Sequence, residues 1–135
     1  MSVYLANTGV LTVNAVDLST LVTSVTINRS ADELDVSTLG DLGHRYVKGL
    51  EASSISIDFL NDEASAKTLQ TLNTNWGSNV VVTFKQFSGA TAPTNPLYTM
   101  TCLINNTTPV NGAVADLSTQ SVTWNVSGTI AITTA

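Results

Sequence analysis

The chain is predicted to be mainly β: an antiparallel β-sandwich or partly closed barrel of about seven strands, with one flanking α-helix and a long extended arm. Three observations predict it. Short runs of alternating apolar and polar residues recur along the chain, separated by clusters of Gly, Pro, Asn, Asp and Ser, which is the pattern of half-buried strands joined by turns. Charged residues are only 11% of the chain and hydrophobics reach 43%, whereas about a quarter of an average globular protein is charged. That balance suits a β protein whose surface is largely covered by other subunits. Finally, about 20 residues separate two of the clearest strand patterns, longer than most connections in a small domain.

Val10 to Val16 is predicted as the first strand. Asp17-Leu18-Ser19-Thr20 follows as a turn, because Asp and Ser side chains hydrogen-bond nearby backbone amides. Leu21 to Asn28 is the second strand, with Ser24-Val25-Thr26-Ile27-Asn28 alternating, and Ile55 to Leu60 repeats the pattern more clearly. A helix is expected over about 62–76. Asn61 or Asp62 would cap it, Asp62 and Glu63 would complement its positive end, and Ala66, Leu69, Leu72 and Trp76 recur at helical spacing. Gly77 would stop it, and Trp76 would staple it to the flank of a sheet. Val80 to Lys85 is a strand with Val80, Val82 and Phe84 on one face. Phe87 to Pro96 reads as a loop. Leu97 to Asn105 is a strand closed by Asn106 to Asn111, with Pro109 inside that connection. Gln120 to Val126 places Val122, Trp124 and Val126 on one face, and Thr129 to Thr134 is the last strand, set off by a bend at Gly128.

The 135 residues and 14.2 kDa fit one domain, 1–135, large enough to bury a core without disulfides or metal. The single cysteine, Cys102, lies in an alternating run and reads as a small buried hydrophobe. Met1 to Asn14 lacks the basic start and sustained apolar core of a signal peptide, and nothing approaches membrane-spanning length. Assembly in a cytoplasm is the expectation.

Ser30 to Leu50 is the arm. Leu34, Val36, Leu39, Leu42, Tyr46, Val47 and Leu50 give it apolar surface that is expected to be buried against something, such as another copy of the chain. Gly40, Gly43 and Gly49 let it reverse direction, as an extended hairpin would.

Candidate chemistry is sparse. A net charge of −5 with only five Lys and Arg residues argues against a protein that grips nucleic acid. His44 is the only histidine, so a His-based metal site or triad would rest on one ring beside Arg45 and Lys48; it reads as a loop or interface residue. Asp32, Glu33, Asp35 and Asp41 match no calcium-loop spacing and read as a solvated or intersubunit acidic face. Asp58 lies on the outward phase of its strand and Glu63 in the expected first helical turn, so neither needs a catalytic role. Gly40-Asp41-Leu42-Gly43 lacks the Lys-Ser/Thr of a phosphate loop. No catalytic residue, cofactor or metal is expected.

The run SADELDVSTLGDLGHRYVKGL from Ser30 to Leu50, then Ile55 to Phe59, Thr94 to Met100, and Pro109-Val110-Asn111-Gly112-Ala113 resembles the small major tail (tail tube) proteins of long-tailed bacteriophages. The likeness runs in the same order over most of the chain. It implies a β-sandwich with a flanking helix whose subunits close into hexameric rings, stacked into the tube through which the genome leaves the virion. It further implies partners at the tail tip and terminator, non-specific passage of double-stranded DNA, and no membrane anchor. The family's extended arm maps onto Ser30–Leu50, with Leu34, Val36, Leu39, Leu42, His44, Arg45, Tyr46, Val47 and Leu50 as contacts between subunits and between rings. A lumen lined by carboxylates would repel the DNA backbone; Asp32, Glu33, Asp35, Asp41 and Asp58 are the candidates, with Asp17 and Asp116 also open. Two other functions compete. One is a phage head decoration protein, trimeric, whose arm would lock onto capsid subunits. The other is a soluble carbohydrate- or ligand-binding module with Trp76 or Tyr46 as its contact surface, which leaves the low charge and the apolar-studded arm unexplained.

Overall fold

The structure is a computed structural model and describes residues 9–134. Along the chain run β1 (Val10–Val13), β2 (Val16–Asp17), a 3-10 turn (Ser19–Leu21), β3 (Val22–Asn28), β4 (Ala31–Asp35), β5 (Tyr46–Glu51), β6 (Ser54–Leu60), α1 (Thr68–Thr74), β7 (Asn79–Lys85), β8 (Leu97–Leu103), β9 (Thr119–Asn125) and β10 (Ala131–Thr133). The part of the leader reading that falls on Met1–Thr8 lies outside the described residues. Among the described residues no helix is long and apolar enough to cross a membrane.

The strands form three sheets: five strands in the order β10-β8-β7-β1-β2, three in the order β3-β6-β9, and a separate ribbon of β4 and β5. Every strand pairing described is antiparallel. The fold is therefore mainly β and antiparallel, and the sheets do not close into a barrel.

Alternation places the core. In β6, Ile55, Ile57 and Phe59 are buried while Ser54, Ser56 and Asp58 between them are only half-buried. Val122 and Trp124 of β9, Val80 and Val82 of β7, Met100 and Cys102 of β8, and Leu11 and Val13 of β1 complete the facing surfaces of one buried cluster. Each fully buried aliphatic side chain stabilises the fold by about 1.5–3 kcal/mol relative to exposure. Trp124 is the largest of the buried side chains. Its ring meets Phe59 at 6.3 Å between centroids, tilted by 42°, a favourable aromatic geometry, and its indole N–H donates to Asn106 O at 3.2 Å.

The strand tally rises from about seven to ten for two reasons. The arm contributes β4 and β5, and the run Val10–Val16 is broken into a hairpin, with Val13 opposite Val16. Asn14 and Ala15 make the reversal at φ 50° and 65°, the left-handed conformation that two-residue hairpin turns require. With Ala in place of the usual Gly, composition concealed the turn.

The helix is shorter than expected and begins later. Asp62 is not its cap: the Asp62 carboxylate accepts from the Ala64 N–H at 2.9 Å, closing a local turn. Ala66 adopts φ 59° and donates its N–H to Gln70 Oε1 at 2.6 Å. Lys67 is the cap position and no acid lies in the first turn, so Asp62 and Glu63 do not complement the helix dipole. Thr68, Thr71 and Leu72 face inward, and the Thr68 hydroxyl donates to Leu60 O at 2.9 Å. Trp76 does not staple the helix. It lies past the helix end and is 56% exposed, where the chain turns to let Gly77 N–H donate to Ile104 O at 2.8 Å.

The predicted Asp17 turn is present. The Asp17 carboxylate accepts from the Ser19 backbone N–H at 2.9 Å and from the Ser19 hydroxyl. These bonds, with the side-chain one dominant, hold the Asp17 carboxyl below its usual range.

Candidate functional site

The arm leaves the body as a ribbon. Ala52 N–H donates to Ser30 O at 2.8 Å, closing its root, and β4 pairs with β5 through Leu34 opposite Val47, Asp35 opposite Tyr46 and Glu33 opposite Lys48. Neither strand belongs to a sheet of the sandwich. Because successive residues of a strand point to opposite faces, Leu34 and Val47 share one face, continued by Val36, while Glu33, Lys48, Asp35 and Tyr46 share the other. Between Ala31 and Glu33 the register slips by one residue, a bulge that increases the local twist. Gly49 sits there, and a Cβ on it would come within 2.9 Å of Asp32 Cβ and 3.3 Å of both Asp32 O and Leu34 Cγ.

The tip is held by polar bonds instead of packing. Val36 N–H donates to Arg45 O at 2.8 Å, Arg45 N–H to Ser37 Oγ at 2.8 Å, and Thr38 N–H to the Asp41 carboxylate at 2.7 Å. The same Asp41 oxygen lies 3.1 Å from Arg45 Nε, and Asp35 Oδ2 lies 3.3 Å from His44 Nδ1. The His44 ring in turn tilts against Tyr46 at 6.0 Å. Hydrogen bonds from Ser37, chiefly through its side chain, hold the Asp35 carboxyl below its usual range. Asp35 and Asp41 are thus builders of the tip, a role that sequence spacing did not reveal.

Among the described residues the ribbon finds no partner for its apolar side chains. Leu34, Val36, Tyr46, Val47 and Leu50 are all exposed, and Leu39 and Leu42 at the tip are fully so, at 107% and 108%. The structure brings nine expected contact residues, Leu34 to Leu50, onto this one projection. Four of the five candidate acids, Asp32, Glu33, Asp35 and Asp41, lie there too, whereas Asp58 is on β6 in the body, opposite Ser24 and Ser121. Asp32 and Glu33 make no ion pair among the described residues.

A second apolar stretch was missed in the sequence reading. Val110, Val114 and Leu117 are strongly exposed on the connection from β8 to β9. The first part of that connection lies along the β9 edge through side-chain amides: Asn106 Nδ2 donates to Thr123 O and Asn111 Nδ2 to Thr119 O, each at 2.9 Å, while Gln120 Oε1 accepts from Thr108 N–H at 2.9 Å. Edge masking by side chains leaves no alternation for a sequence pattern to show.

Cys102 is buried, as predicted, and burial pushes its thiol up to about 11. Among the described residues no cluster of three or more His, Cys, Asp or Glu side chains is placed to hold a metal ion. In comparison with known proteins, the chain matches no family model and no curated sequence.

Proposed function

We propose that the chain is a structural virion protein that self-assembles into stacked rings, hexameric as the resemblance implies, forming the tail tube of a long-tailed phage through which DNA passes during ejection. The observation that supports this reading is the free-standing ribbon. A two-stranded hairpin is marginal on its own in water, and this one carries seven large hydrophobic side chains, Leu34, Val36, Leu39, Leu42, Tyr46, Val47 and Leu50, all exposed. Monomeric proteins rarely leave so many large apolar side chains exposed on one projection without a partner for them. A subunit surrounded by its own copies supplies that partner, and it also accounts for a chain with only 11% charged residues.

In this reading the protein performs no catalysis. Asp32 and Glu33 are the arm acids with carboxylates left to act at a distance, and together with the net charge of −5 they would keep DNA from adhering to the wall. Assembly partners are further copies, with tip and terminator proteins at the ends, and the site of action is the virion tail after assembly in the host cytoplasm.

The test is negative-stain electron microscopy of the untagged chain across a concentration series, with light scattering for mass. Tubes or stacked rings are the expected result. A discrete trimer that binds capsids would replace this reading with a head decoration protein, and a monomer at every concentration would remove both.

A further inference from the structure

We propose that Asn111 is a site of spontaneous covalent modification, deamidation through an imide formed with Gly112, and that the change unfastens the β8–β9 connection from the edge of β9. The inference does not depend on what the chain assembles into.

The chain has twelve asparagines, and Asn111 is the one that a glycine follows. Both residues are exposed and lie between β8 and β9, outside any strand or helix. The Gly112 amide nitrogen has to reach Asn111 Cγ, and a following residue without a Cβ hinders that backbone rotation least. Among the described residues the Gly112 N–H makes no hydrogen bond, so none has to break before the nitrogen is deprotonated. Asn95 shows the opposite case: it is buried, its amide donates to Phe87 O, Gly89 O and Ala90 O, and Pro96 follows it, leaving no N–H to react.

The step needs water and hydroxide and no redox partner. Hydroxide takes the Gly112 amide proton, and the nitrogen attacks Asn111 Cγ. The N–Cγ bond forms, the Cγ–Nδ2 bond breaks, and Nδ2 leaves as ammonia with a proton from water. Water then opens the cyclic imide at either of its carbonyls, leaving aspartate or isoaspartate. Holding nucleophile and carbonyl on adjacent residues makes the attack intramolecular, which is why no catalyst is required.

The consequence follows from what the amide holds. Asn111 Nδ2 donates to Thr119 O at 2.9 Å, and Thr119 opens β9, the outer strand of the three-stranded sheet. A carboxylate has no proton to give, so two acceptors would face each other where a donor met an acceptor. Asn111 also shares a recess of about 350 Å³ with Glu63, so the new charge arises beside an existing one of the same sign. The ties that remain lie toward the ends of the connection: Thr108 N–H to Gln120 Oε1 and Asn61 N–H to Ser118 O, each at 2.9 Å. Release leaves Thr119 O as an open acceptor on an exposed sheet edge.

The test ages the full chain in mildly alkaline buffer and follows it by peptide mass and hydrogen exchange. Asn111 is expected to convert from amide to acid before any other asparagine, at a rate that rises with hydroxide. Gly112→Ala is the control, because its added Cβ meets only Ser118 Cβ at 3.8 Å and Cα at 3.9 Å, ordinary contact that leaves the fold intact. It is expected to slow conversion several-fold with unchanged circular dichroism. Aged protein and freshly made Asn111→Asp are both expected to lose exchange protection at the Thr108 amide. Conversion of another asparagine first, or a rate that Gly112→Ala does not change, overturns the imide route. Thr108 protection that stays at the fresh wild-type level in both aged protein and Asn111→Asp overturns the unfastening.

Discussion

Gly49→Ala is expected to open the arm without touching the body. The added methyl would sit 2.9 Å from Asp32 Cβ and 3.3 Å from Asp32 O and Leu34 Cγ, closer than side chains tolerate. The obstructing atoms are the opposing strand's backbone and its first side-chain atoms, which cannot swing aside as a long side chain would. Overpacking of this kind costs about 1–3 kcal/mol, a shift of about 5- to 150-fold in the closed-to-open ratio of the ribbon. A ribbon that is marginal to begin with loses its closed form over that range. The body should not respond, since among the described residues β4 and β5 pair only with each other. Hydrogen exchange reads the effect locally: the Val36 amide, bonded to Arg45 O, and the Ala52 amide, bonded to Ser30 O, are expected to lose protection, Val36 more. The body's denaturation midpoint should stay within about 0.5 kcal/mol of wild type. Assembly by light scattering should weaken in step with Val36 protection. Unchanged Val36 protection in Gly49→Ala would refute the close-approach reasoning, and full assembly despite an open arm would refute the arm's role.

Four further outcomes are expected. Ala15→Gly should stabilise the chain by up to about 1 kcal/mol in urea unfolding, because Ala15 sits at φ 65°, where a Cβ costs about 1–2 kcal/mol against the about 0.5–1 kcal/mol of flexibility that Gly adds; destabilisation would show the turn is not strained. Ser53→Ala should be stabilising by about 1 kcal/mol, since Ser53 is 3% exposed and its hydroxyl finds no partner among the described residues, an arrangement that costs about 1–3 kcal/mol; a loss of stability would reveal a partner. Asp17 and Asp35 both have carboxyls held below the usual range, so the stability they add is complete above the unfolded value of about 3.9 and is lost as pH falls through the lower folded values; amide shifts of Ser19 and Ser37 should titrate below about pH 4, and midpoints above it would contradict the bonds described. Cys102, with its thiol pushed up to about 11, should resist thiol reagents at pH 8 until the protein unfolds; stoichiometric labelling of folded protein would refute its burial.

The parts of the fold legible in the sequence are those in which one side chain's environment differs sharply from the next. Ile55, Ile57 and Phe59 alternate with Ser56 and Asp58 because β6 is the middle strand of its sheet with a single apolar face, so period and burial agree. The arm was legible too, as apolar residues stranded among acids and glycines. Its two faces were not, because they depend on the bulge at Gly49, and a one-residue slip exchanges the faces. The helix start misled for a physical reason: an Asp carboxylate caps a helix and closes an isolated turn with the same bond, and only the Ala66 backbone at φ 59° separates the two cases.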